Sequence, residues 1–250
     1  MSAPATAGRS QAADDRIVIS DELWTSGQPV KFSAARIYFS RRKLQSAVSL
    51  GGARRGAKIL EVGCTSGTFT LPMQRLGFDV TGFDIDEGAL NMASDWVAAH
   101  QLENIRFEQG DAHDLSRFSD NTFDHVFSFQ CYRYFQDLNR ALKEVLRVLK
   151  PGGVSCIDYP NRLSPFYSLY KRFLKGHQYR FPDYTYLTRR EGEERYRHLG
   201  FGKVNAKTII FAPPYTPTAL LPVMKLADTV LEAVPGINAL AGIVMVRGEK

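Results

Sequence analysis

Short apolar runs alternate along this chain with stretches in which apolar residues recur at helical spacing. Five runs read as strands: Lys58 to Val62, Asp79 to Phe83, Ile105 to Gln109, His125 to Phe129 and Val154 to Tyr159. Runs of that length, bounded by glycine and polar turns, suit strands buried on both faces. Between them Thr68 to Leu76, Glu87 to His100 and Asp137 to Leu149 read as helices. In the last, Leu138, Leu142, Val145, Leu146 and Leu149 form one stripe, and Gly152 with Gly153 reads as its stop. This alternation predicts an α/β chain with a doubly wound, mostly parallel sheet. Further on come a helix over Thr188 to Leu199, a strand over Val204 to Ala212, a helix over Thr218 to Ala233 and a strand over Leu240 to Val246.

Two segments stand outside that rhythm. One is an N-terminal helix over Ser33 to Leu50, with Trp24 and Phe32 before it and Ile37, Tyr38 and Phe39 inside it. The other is the aromatic-rich stretch from Pro160 to Leu187, which leaves the fifth strand at its carboxyl end, where open α/β sheets bind ligands. The chain thus divides into a disordered tail (1–15), a helical cap (16–55) and a nucleotide-binding domain (56–250) that carries 160–187 as a lid insertion.

The chemistry is concentrated in Glu61-Val62-Gly63-Cys64-Thr65-Ser66-Gly67 and in Asp84 at the end of the second strand. A strand, a tight glycine loop and a helix start form a nucleotide pocket. Dinucleotide folds carry G-x-G-x-x-G over a pyrophosphate, and this loop has no G-x-G pair. A carboxylate at Glu61 would also repel a pyrophosphate, by several kcal/mol at an effective dielectric of about 20. S-adenosylmethionine has no phosphate and carries an ammonium and a sulfonium, so an acid there attracts it. Asp84 falls where a carboxylate accepts ribose hydroxyls.

In order and spacing these motifs resemble the class I S-adenosylmethionine-dependent methyltransferases, in particular the quinone-biosynthesis and small-molecule branch. Gly110-Asp111-Ala112, Asn121 to Val126 and Arg147 to Gly153 extend the resemblance over roughly Gly56 to Gly153. It implies a Rossmann-like, seven-stranded sheet with an antiparallel last strand, and S-adenosylmethionine as cofactor. It also implies cofactor contacts from Glu61 (methionine ammonium), Gly63, Cys64 and Gly67 (loop), Asp84 (ribose) and Ile85 (adenine face). Asp111 with Ala112 would meet the adenine edge, and Phe129 with Gln130 the donor end. The loop departs from the family's E-x-G-x-G-x-G at Thr65, where a glycine would give closer backbone approach.

Methyl transfer from a sulfonium asks the protein to align donor and acceptor and exclude water, with a base where the acceptor must lose a proton. Two residues are catalytic candidates: His113, whose imidazole titrates near neutrality, and Tyr132, whose ring could face the sulfonium. For each a structural role is the competing reading. Tyr38, Arg133, Tyr159, Asn161 and Tyr170 are candidates for the acceptor side, and the 160–187 insertion becomes an acceptor lid.

Composition adds bounds. The three cysteines are scattered and suggest neither disulfides nor a zinc site, so no metal is expected and a reducing, cytoplasmic setting fits. The longest apolar run, Ile237 to Val246, is about half a bilayer span. The net charge of +6 is concentrated in two acid-free blocks, 31–58 and 161–182, which suit either an anionic partner or a solvated face. Leu163 to Lys175 could touch a membrane as an amphipathic helix or pack as a lid. Ser128-Phe129-Gln130-Cys131-Tyr132 lacks the N/D-P-P-Y/F element of base methylation, which disfavours nucleic acid. The leading expectation is methyl transfer to a bulky, partly lipophilic or aromatic small molecule, with an anionic feature as an option. RNA or protein methylation, or a non-catalytic cofactor-binding scaffold, are the alternatives. Oligomeric state is not encoded in any of these features.

Overall fold

The structure is a computed structural model that describes residues 17–165 and 185–250. The tail expected to be disordered, Tyr170 and most of the aromatic insertion lie outside the described residues.

Seven strands form one sheet: β1 (Lys58–Val62), β2 (Asp79–Asp84), β3 (Ile105–Gln109), β4 (Phe123–Ser128), β5 (Leu149–Pro160), β6 (Val204–Ile209) and β7 (Ile243–Glu249), in the order β3-β2-β1-β4-β5-β7-β6. β1 to β5 pair in parallel, and β7 runs antiparallel between β5 and β6. The expected mostly parallel sheet with an antiparallel last strand is therefore present. Among the described residues the α-helices are α1 (Glu22–Thr25), α2 (Ala34–Gly51), α3 (Thr70–Arg75), α4 (Glu87–Ala99), α5 (Leu138–Val148), α6 (Arg189–His198) and α7 (Leu221–Ala233). Ser33, Asp86, Asp137 and Thr188 each cap a following helix by accepting a backbone N–H, which stops the chain from winding earlier.

Successive strand residues point to opposite faces, so Ile59 and Leu60 join different cores. One core packs α2 and α3 against Ile59, Val80, Phe127 and Met245. The other packs α5 and α6 against Leu60, Val126, Ile157 and Val244. The strand order reverses between β1 and β4, and ligands of such sheets bind at the carboxyl edge beside that switch.

Several boundaries differ from the pattern reading, among them that of β7, which starts at Ile243 because Leu240 belongs to a 3-10 turn over Ile237–Leu240. The pair Gly152-Gly153 does not stop α5, which ends at Val148; it lies inside β5, where Phe123 opposes Leu149 and His125 opposes Val154 across an irregularity that absorbs the extra residues. β6 stops at Ile209, because Ile210 turns to a φ of 65°. The helix after Pro217 starts as a 3-10 turn over Thr218–Leu220 before α7. Because β6 runs parallel to β5 and β7 returns, the 210–242 connection rises from the same sheet edge as the insertion after β5.

Candidate functional site

At the carboxyl edge of the sheet Val62 stands opposite Phe83, and the Gly63 N–H donates to the Phe83 carbonyl at 2.7 Å. This bond seats the 63–67 loop over the end of β2. Gly63 has φ 80°, and a Cβ there would collide with the Cys131 side chain. A Cβ on Gly67 would meet Leu71 and Phe107 at 3.2–3.3 Å. Protein side chains thus take up the space beside both glycines. Thr65 adopts φ 47°, a left-handed backbone that glycine takes up more readily, at a cost of roughly 1–2 kcal/mol. Its N–H donates to Asp84 Oδ2 at 2.8 Å.

Asp84 thereby ties the loop to β2. Its Oδ1 accepts from the Asp86 N–H at 3.1 Å, and each oxygen keeps a lone pair for another donor such as a ribose hydroxyl. Beside it Ile85 is 69% exposed, a bare aliphatic face at the sheet edge. Asp111 Oδ1 accepts from both the backbone N–H of His113 (2.8 Å) and its ring nitrogen Nδ1 (2.7 Å), which hold the carboxyl below its usual range. Ala112 is buried next to it. His113 is therefore engaged by Asp111, and its ring also lies 4.8 Å from that of Phe135.

Glu61 sits under the loop rather than at its entrance, 1% exposed, and accepts from the Thr70 hydroxyl at 2.5 Å. Among the described residues no cation pairs with it. Burial pushes its carboxyl up to about 8, the Thr70 bond opposes this and Asp84 adds to it. A buried acid of that kind is stabilised in its ionised form by an incoming positive charge. Cys64 is buried and its thiol is raised well above the usual range by burial. The buried acid, the half-satisfied Asp84 and the open Ile85 fit a ligand with a cationic end, a diol and a flat ring.

Just beyond β4 Phe129 stacks on Phe69 at 4.0 Å between ring centres, and Trp24 meets Phe69 edge-on at 6.3 Å. The Trp24 indole N–H donates to the Thr68 carbonyl at 2.9 Å, so the N-terminal segment is latched to the loop's far side. Gln130 takes φ 63° and donates its N–H to Asp158 Oδ1 at 2.5 Å. Asp158 in turn pairs with Lys43 of α2, both sealed from solvent. Burial brings the Lys43 ammonium down to about 8, against the pull of Asp158. Thr70, Lys43 and Asp158 were not among the candidates. Lys43 was legible as a lone charge on the apolar face of α2, four residues from both Phe39 and Ala47.

The structure distributes the acceptor candidates differently from the sequence reading. Tyr132 is wholly buried, its ring 4.6 Å from Phe135, and burial raises its hydroxyl well above the usual range, so it sits in the core rather than facing an acceptor. Tyr159 is equally buried, its hydroxyl 3.2 Å from that of Tyr196. Tyr38 donates to Asp228 Oδ2 at 2.7 Å and accepts from Arg42 at 2.9 Å, which joins α2 to α7. Asn161 donates to the carbonyls of Ala239 (2.8 Å) and Ala241 (2.6 Å) and accepts from the Leu163 N–H, clasping the two edge connections together. Arg133 lies over the Tyr134 ring at 4.8 Å, and its carbonyl accepts from the Thr185 N–H. Three of the eight cations of the first basic block pair within the protein: Arg41 with Asp21, Arg42 with Glu232 and Lys43 with Asp158. Among the described residues no cluster of histidine, cysteine and acid could hold a metal.

Residues 60–157 match the family model described as a methyltransferase domain. Over that stretch the chain is similar to methyltransferase domains, and as a whole it has the fold of solved S-adenosylmethionine-dependent methyltransferases. A demethylmenaquinone methyltransferase of Staphylococcus aureus is 37% identical over 131 residues, covering 49% of this chain and 53% of the relative. The chain thus spans about half the length of the curated relatives it matches. Among solved structures, an S-adenosylmethionine-dependent methyltransferase from Thermotoga maritima aligns with a TM-score of 0.62 at 21% identity, over 86% of this chain and 91% of its own. One from Archaeoglobus fulgidus gives 0.60 at 17%, over 86% and 94%. The cyclase SpnF gives 0.60 at 20%, over 84% and 80%. These three share the fold, and the cyclase among them shows that a methyltransferase-like fold does not by itself fix the reaction.

Proposed function

We propose that this protein moves a methyl group from S-adenosylmethionine by in-line displacement onto a small, bulky and partly lipophilic or aromatic acceptor. The observation that carries the reading is the pairing of a buried acid, Glu61, with Asp84 and exposed Ile85 on adjacent strand ends. Glu61 favours the cationic methionine end electrostatically, Asp84 accepts the ribose hydroxyls and Ile85 lies under the adenine. Asp111 and Ala112 flank the adenine edge, and Phe129 closes the donor end. The acceptor class is supported by the stacked Trp24, Phe69 and Phe129 wall beside Gln130 and by the similarity to a quinone-pathway enzyme.

The test is a screen of lipophilic and aromatic metabolites with isotopically labelled methyl donor, run beside calorimetry of donor binding. Wild type should bind the donor and label an acceptor, while Asp84→Ala should lose most of its donor affinity, by about 3–6 kcal/mol for two hydrogen bonds to a charged group. Unchanged binding in Asp84→Ala would refute the ribose assignment. Donor binding without labelling of any acceptor would favour the scaffold reading.

A further inference from the structure

Two residues beyond β4, Gln130 takes φ 63°, a left-handed turn that glycine favours and that a glutamine adopts only where something holds it. What holds it is Asp158 near the end of β5, whose Oδ1 accepts the Gln130 N–H at 2.5 Å. The turn decides where Cys131 goes. Its Cβ and Sγ come so close to Gly63 that no side chain could stand at that position. The Ser128 hydroxyl donates to the Val62 carbonyl at 2.7 Å, so the chain leaving β4 and the head of the 63–67 loop meet at two successive points.

Asp158 does not stand alone. Its other oxygen pairs with the Lys43 ammonium of α2, which also lies 4.4 Å from the centre of the Phe39 ring. Lys43 is fully buried and Asp158 1% exposed. Sealing two charges from water is costly, and an apolar pair of similar volume would hold α2 to β5 at least as well. An apolar pair could not accept the Gln130 N–H. An anionic acceptor makes the stronger bond to an N–H, and Lys43 supplies the countercharge that a carboxylate at such depth needs. From Lys43 through Asp158, Gln130 and Cys131 to Gly63, contacts thus run unbroken from the N-terminal helix to the loop. They reach it from the β4 and β5 side, whereas Asp84 holds it from the β2 side.

We propose that Lys43 and Asp158 are positioning residues for the methyl donor: by fixing the Gln130 turn they set Cys131 against Gly63 and hold the 63–67 loop in its binding shape. The inference rests on the methyl-transfer reading for the identity of the ligand, S-adenosylmethionine, and adds a control on its affinity that acts through the backbone of residue 130. Without the carboxylate, Gln130 relaxes out of the left-handed region, and a donor that needs the loop seated has to restore it. Its affinity then falls about tenfold.

The test compares wild type with the double variant Lys43→Met, Asp158→Leu, in which two apolar side chains replace the ion pair and keep the fold. Calorimetry with S-adenosylmethionine should show affinity about tenfold weaker in the double variant. Adding Gln130→Gly, which takes the left-handed turn without a side-chain penalty, should recover at least about threefold, although the ion pair stays absent. A role in stability alone predicts no such recovery. Cys131 gives a second readout that needs no ligand. In wild type its thiol packs against Gly63 and burial pushes it up to about 12, so iodoacetamide should modify it slowly. In the double variant peptide mapping should show Cys131 modified at least about tenfold faster, with buried Cys156 unchanged. Asp158→Asn, which keeps the size and gives up the charge, is the second variant, for the case that the double one does not fold, and should move both readouts in the same direction. Unchanged Cys131 reactivity or unchanged donor affinity in a folded variant would overturn the proposal, as would a loss of affinity that Gln130→Gly does not recover. Should wild type bind no S-adenosylmethionine, the donor reading of the site fails, while Cys131 reactivity still decides whether the pair positions the turn.

Discussion

Two acids, Glu61 on β1 and Asp158 on β5, lie near the carboxyl edge of the sheet, each 1% exposed, and they are treated in opposite ways. Asp158 has a resident cation, Lys43, and lends its other oxygen to Gln130. Glu61 has a hydroxyl from Thr70 and no resident cation among the described residues. A buried ion pair holds structure in place, because removing either partner strands the other. A buried acid kept without one is biased toward its neutral form and responds to whatever charge arrives. The proposed donor half of the site is thus responsive, and the proposed acceptor half is braced.

Breaking the brace should give the largest effect. Lys43→Met leaves Asp158 buried and uncompensated, and should destabilise the fold by about 3–5 kcal/mol in denaturant unfolding. Lys43→Met combined with Asp158→Leu should recover much of that loss, and a double variant no more stable than the single one would contradict the pairing.

The responsive acid should appear as a pH effect of intermediate size. The folded-state value near 8 is raised, so Glu61 favours the fold while protonated, below its unfolded value near 4.5; this contribution fades as pH rises, and is gone above about 8. A cationic ligand selects the ionised form, so donor binding near pH 7 should release a proton. Affinity should then climb by up to about tenfold per pH unit until the carboxyl is fully ionised. Calorimetry in buffers of different ionisation enthalpy reads that proton directly, and Glu61→Gln should abolish its release. Proton release that persists in Glu61→Gln would assign the effect to another group.

The smallest effect belongs to Thr65. Thr65→Gly relieves a left-handed side-chain residue but frees the unfolded chain, and the two nearly cancel, leaving stability within about 1 kcal/mol of wild type. Donor affinity should change by less than about threefold, because the backbone already has the glycine shape and its N–H already meets Asp84. A larger gain in affinity would show that the threonine side chain obstructs the ligand.

The same contrast explains what could be read along the chain. The sheet and the donor half follow from local signals: a glycine loop between strand and helix, and an acid where the next strand ends. β1 and β3 fall where periodicity puts them, and Glu61, Asp84 and Ile85 converge as their spacing implies. The acceptor half depends on contacts between residues far apart in sequence. By sequence Tyr38, Tyr159 and Asn161 are acceptor-side candidates and Tyr132 a catalytic one, because each sits at or beside an element leading to that edge. Each instead meets a partner or a core that local pattern does not reveal: Asp228 for Tyr38, Phe135 and surrounding aliphatics for Tyr132, Tyr196 for Tyr159, and two carbonyls of the β6–β7 connection for Asn161. Aromatic and amide residues serve a packed network as readily as a ligand, and composition does not separate the two uses. Lys43 is the exception, since a lysine on an apolar helix face must find an acid or lose its charge.

The attachment of α2 also bears on synthesis. The helix leaves the ribosome early, yet the partners that hold it come much later: Asp158 arrives with β5, and Asp228 and Glu232 with α7, 190 residues beyond Tyr38 and Arg42. Contacts of such long sequence separation form slowly, and during translation they wait for the C-terminal part of the chain to emerge. With its apolar face open in the meantime, α2 is made among the first elements and seated among the last.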